Sequence, residues 1–157
     1  MTHLMIDMEN ASSSQLVPGC ELVQLWADAA LTELDGEAEL SVRIVDAEES
    51  AELNWQYRHK QGPTNVLSFP ADLPEELNLP LLGDLVICAP VVEREAMEQA
   101  KRPDAHWAHM VVHGCLHLIG YDHIADDEAE IMETLETRIL VGLGFPPPYQ
   151  ETPSESN

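Results

Sequence analysis

The chain has 157 residues, with 29 acidic and seven basic side chains and a formal net charge of −22. That length suits one domain with a substantial core, and the charge excludes a surface that binds nucleic acid broadly, because acidic proteins repel phosphates unless their few cations are concentrated. The start, MTHLMIDMENAS, lacks the basic region and apolar run of a signal peptide, no later segment suits a bilayer span, and three cysteines lack framework spacing; a soluble cytoplasmic protein with reduced thiols and no membrane partner is expected.

Alternation at Leu4, Ile6 and Met8 predicts a first strand, and Pro18 then opens a helix with Leu22, Leu25, Trp26 and Ala29 on one face. Leu40, Val42 and Ile44 mark a second strand. Asp46 followed by Glu49 resembles a capping box for a helix running towards Tyr57 and Arg58. TNVLSF and GDLVIC predict a third and a fourth strand around a loop from Pro70 to Pro80. Helices follow: one begins at Pro90, one at Pro103 and Asp104, and one is capped by Asp126 or Asp127 and ends near Gly144. Ile131, Leu135 and Ile139 give the last helix an apolar stripe expected to face the core. The expected fold is α+β, a small mixed β-sheet of about four strands packed against several helices, as one domain over 1–145 with a disordered, proline-rich tail over 146–157.

The run VVHGCLHLIGYDH carries the chemistry. His113 and His117 lie one turn apart on a helix face and can present ring nitrogens to a common ion. Gly120 suits the helix end, where a left-handed turn lets the chain fold back to deliver His123. Three neutral imidazoles suit Zn²⁺, one per chain, with the fourth position kept for water or substrate, although imidazole sites also accept other divalent metals. Cys115, two residues from each helical histidine, points the other way and reads as a core residue. His106 could border the cleft, but a core or surface role is commoner, and His59 and His109 receive no assignment.

This spacing is that of one zinc peptidase class, which needs a glutamate directly after the first histidine. Here that position is Gly114. Asp122 could replace the missing base, or could accept a hydrogen bond from a ligand imidazole and fix its tautomer. An open metal position can also serve phosphodiester cleavage, which needs a cation for the developing charge, and Arg58 suits that task. Arg58 and Lys60 sit together in NWQYRHK, where Tyr57 could stack on a base, a core role being the expectation for it.

YRHKQGPTNVLSFP, LLGDLVIC and HMVVHGCLHLIGYDH together resemble the YbeY family of rRNA maturation factors, from about Leu40 to Gly144. The resemblance implies an α+β fold, zinc on His113, His117 and His123, and Arg58 facing the metal cleft. It also implies a single-strand-specific, metal-dependent endoribonuclease that processes the 3′ end of small-subunit rRNA, acts in ribosome quality control and has ribosomal partners. Asn65 departs from the aspartate of many members. The competing readings are a zinc peptidase or other metallohydrolase using Asp122, and a non-catalytic, metal-stabilised adaptor on the ribosome.

Overall fold

A computed structural model describes residues 2–32, 34, 36–71, 80–122 and 125–149. The order is β1 (Thr2–Asn10), α1 (Cys20–Ala30), β2 (Gly36–Val45), α2 (Ala47–Arg58), β3 (Val66–Pro70), β4 (Leu81–Cys88), α3 (Ala89–Glu98), α4 (Pro103–Leu118) and α5 (Asp126–Gly142). The four strands form one open mixed sheet in the order β1-β2-β4-β3. β1, β2 and β4 run parallel, and β3 is an antiparallel edge strand in which Val66 faces Ile87 and Pro70 faces Gly83. This is the α+β architecture expected from early strands and late helices.

Alternation along the strands divides the core in two. Leu40, Val42, Ile44, Val66, Leu85 and Ile87 project to the face covered by α1, α4 and α5. Val45, Leu67, Val86 and Cys88 project to the other face and meet Leu53 of α2. α4 is apolar around most of its circumference, a pattern that places a helix inside a molecule rather than on it; Trp107, Val111, Val112, Cys115 and Leu116 are buried there. No helix among the described residues is long and apolar enough to cross a membrane.

Several local expectations change. α1 turns inward through Val23, Trp26, Ala27 and Ala30, leaving Leu22 and Leu25 exposed; the alanines let the helix approach closely, which the larger leucines would prevent. Asp46 occupies the N-cap position of α2, but its side chain does not cap the helix and the capping box does not form: its carboxylate accepts from Ser13, and Glu49 pairs with Arg43. α5 buries Met132, Glu136 and Leu140 instead of centring on Ile131, which is exposed. Tyr57 lies at the surface, meeting Phe69 edge-on. The expected tail begins with placed residues: the Lys101 ammonium donates to Pro148 O at 3.0 Å, and Tyr149 packs on His109. Residues 150–157 lie outside the described residues.

Candidate metal centre

His109, His113 and His117 follow one another at four-residue intervals, and the 3.6-residue turn stacks them along one face of α4. Their rings meet edge-on, with centroids 6.2 Å apart for His109 and His113 and 4.7 Å apart for His113 and His117. Gly120 at φ 107 ends the helix, a conformation that favours glycine, and returns the chain through Tyr121 and Asp122. Asp122 is half-buried at this exit. His123, the expected third ligand, lies outside the described residues.

α5 supplies a partner that periodicity alone did not single out. Glu136 is fully buried; its Oε2 lies 2.9 Å from His113 Nδ1 and 3.0 Å from His109 Nε2, and its Oε1 accepts from the Tyr149 hydroxyl at 2.8 Å. Burial alone would raise this carboxyl, but the hydrogen bonds from His109 and His113 outweigh it and bring the pKa down to about 2. Burial, with the adjacent Glu136 charge, pushes the Tyr149 phenol the other way, well above its ordinary value.

A second acid, Glu95 of α3, meets the N-terminal half of α4. His106 Nε2 stands 2.9 Å from Glu95, which also accepts from the Asn65 amide at 3.1 Å. Burial lowers the His106 pKa, and the Glu95 hydrogen bond partly offsets it. Lys101 is likewise lowered by burial, against the raising influence of Glu95 and Glu136. Asn65, Glu95, Lys101, His106, His113 and Tyr149 line part of a cavity of about 340 Å³ behind the histidine face. Asn65 is therefore built into a hydrogen-bonded network here as a neutral donor.

Two donor sets on this face can be compared for a divalent ion. His109, His113 and Glu136 bring ligand atoms within 4.8 Å of one another and could hold a metal. Their contacts of 2.9–3.0 Å are also ordinary hydrogen-bond lengths, and an ionised Glu136 can only accept. With its proton on Nδ1, His113 keeps a lone pair at Nε2, so it fits a metal set with His117 while Glu136 remains its hydrogen-bond acceptor.

Arg58 is the last residue of α2, a helix whose Leu53 packs on the sheet face opposite α4, and is exposed beside His59 and Lys60. Among the described residues, no hydrogen bond or ion pair joins it to the histidine helix. The structure thus brings His113 and His117 together. Glu136 had no local signature beyond its four-residue spacing from buried Met132 and Leu140.

One solved structure with a similar fold is the solution structure of a Thermotoga maritima protein, 24% identical, covering 94% of this chain and 100% of that one with a TM-score of 0.56. The family model described as endoribonuclease YbeY matches residues 8–144. The chain belongs to the YbeY endoribonuclease family.

Proposed function

We propose that this protein is a metal-dependent endoribonuclease of rRNA processing that cuts single-stranded RNA, acting on the 3′ end of small-subunit rRNA and in ribosome quality control in the cytoplasm. The observation that carries the reading is the His113–His117 pair, 4.7 Å between ring centroids, within a chain matched by an endoribonuclease family over residues 8–144. His113, His117 and His123 would hold one ion, Zn²⁺ being the best match to imidazole donors. When bound, the ion supplies Lewis acidity towards a phosphoryl oxygen and lowers the pKa of water.

The chain's own groups divide the remaining work. Arg58 offers a permanently charged fork for phosphate oxygens. Trp55 and Tyr57, both exposed, offer faces for unstacked bases on either side of it. Asp122 would orient a ligand imidazole or take a proton at the helix exit. A net charge of −22 makes binding of free RNA weak and salt-sensitive, which favours delivery by a ribosomal protein partner.

The decisive experiment is cleavage of single-stranded RNA by purified wild type, His113→Ala and Arg58→Ala, with metal content measured in each. Wild type should cut with about one metal per chain. His113→Ala should lose metal and activity, and Arg58→Ala should keep metal and lose activity. Metal-loaded wild type that leaves RNA intact would sink the nuclease reading and favour the adaptor; peptide cleavage surviving Arg58→Ala would favour the hydrolase.

A further inference from the structure

Among the described residues, Glu136 is the one carboxylate with no exposure. A carboxylate brings no proton to its hydrogen bonds, so each of its three partners must donate: the Tyr149 hydroxyl to Oε1, His109 Nε2 and His113 Nδ1 to Oε2. Those donations fix tautomers. His113 carries its proton at Nδ1 and its lone pair at Nε2, while His109 carries its proton at Nε2. The His109 Nδ1, buried with no hydrogen-bond partner, agrees with that assignment. An imidazole already holding its lone pair at Nε2 has no proton to lose on binding a divalent cation.

We propose that Glu136 is a positioning residue that keeps His113 in its ligating tautomer, and that Tyr149 locks Glu136 in place, making the segment after α5 part of the metal centre. This rests on the reading that His113 and His117 hold the ion. Burial sharpens the case: an unpaired carboxylate here would be strongly destabilising, so the acid is held by its donors and holds them in turn. Tyr149 arrives from beyond the helix, after the turn in which Phe145 N donates to Leu140 O at 3.0 Å. Its ring stands perpendicular to His109 at 5.2 Å, so the latch touches both donor histidines' shared acceptor and one of the histidines itself.

The test measures Zn²⁺ affinity of the full chain by chelator competition, with metal stoichiometry and the ¹⁵N tautomer signature of His113 in metal-free protein. Wild type should show His113 protonated at Nδ1. Glu136→Gln should weaken Zn²⁺ about 10–100-fold at unchanged one-to-one stoichiometry, with His113 in mixed tautomers. Tyr149→Phe removes only the hydroxyl and should weaken Zn²⁺ several-fold; it carries the test if Glu136→Gln does not fold. His109→Ala should retain one Zn²⁺ per chain, and His117→Ala should lose it. Wild-type affinity and a single His113 tautomer in a folded Glu136→Gln, or wild-type affinity in Tyr149→Phe where Glu136→Gln does not fold, overturn the inference and leave the metal reading standing. Loss of Zn²⁺ in His109→Ala with retention in His117→Ala overturns the metal reading itself, placing the ion among His109, His113 and Glu136.

Discussion

Gly114 and Leu85 approach so closely that a Cβ at position 114 would lie 2.7 Å from Leu85 Cδ2, with Val66 Cγ2 at 3.3 Å. The Ser68 hydroxyl donates to Gly114 O at 3.1 Å from the neighbouring strand, so α4 lies directly on the sheet at this turn. The residue after the first metal-ligand candidate therefore faces the sheet, and at the position a zinc peptidase gives to its glutamate a side chain would press on Leu85 and Val66.

Gly114→Ala should destabilise the fold. Overpacking a filled core costs about 1–3 kcal/mol, and replacing a helical glycine returns about 0.5–1 kcal/mol; a net loss centred on about 1 kcal/mol, and at most about 2.5 kcal/mol, with a melting temperature lower by a few degrees, is expected. Gly114→Glu should not accumulate as folded protein. A stable Gly114→Glu variant would show that this contact does not limit the position and would reopen the peptidase reading.

Much of the fold was legible because its punctuation is local. Pro90, Pro103 and Gly120 mark helix ends through backbone restriction alone, and the strands show their period directly. The face of α1 was not, because Leu22 and Leu25 compete with Val23 and Trp26 for the same helical spacing, and close packing of Ala27 and Ala30 decides between them. Glu136 was missed for a related reason: an acid on an acid-rich helix looks solvated until His109 and His113 come over from α4 to meet it. Tyr149 was hidden by its proline-rich surroundings, though the hydroxyl finds a buried acceptor.

The thiols should react in two classes. Cys20 is exposed, whereas Cys88 and Cys115 are buried. Burial raises the Cys88 thiol and pushes Cys115 up to about 12, so neither supplies thiolate near neutral pH. Of the three cysteines, one should react quickly with a disulfide reagent in native protein and all three in denaturant. A fast Cys115 in folded protein would contradict the packing of α4 against the sheet, and a fast Cys88 the packing on the opposite face.

His106 should make stability depend on pH. Its folded pKa is lowered, first by burial, so the unfolded chain takes up a proton at a pH where the folded chain does not. Stability is therefore full above the unfolded value of about 6.5 and is lost as pH falls from there towards the folded pKa. His106→Gln keeps a polar side chain near Glu95 without a titrating ring. The melting temperature of wild type should fall more steeply between pH 7 and pH 5 than that of the variant; parallel curves would remove His106 as the source.

RNA binding at the end of α2 should be visible through one tryptophan. Trp55 is 55% exposed, whereas Trp26 and Trp107 are each 2% exposed. Trp55 and Arg58 are three residues apart on the helix, close enough to share a face, and the His59 ring meets Trp55 edge-on at 6.0 Å. A base stacked on Trp55 would leave its phosphate within reach of the guanidinium, combining the two contacts that hold single strands. Oligouridylate titrated at low salt should quench the exposed emission, and affinity should fall with salt by a logarithmic slope of roughly 0.7 per neutralised phosphate. Arg58→Ala should weaken binding and flatten that slope while leaving metal content and melting temperature unchanged. Binding without quenching would place the strand elsewhere, and an unchanged slope in Arg58→Ala would remove this arginine from the substrate path.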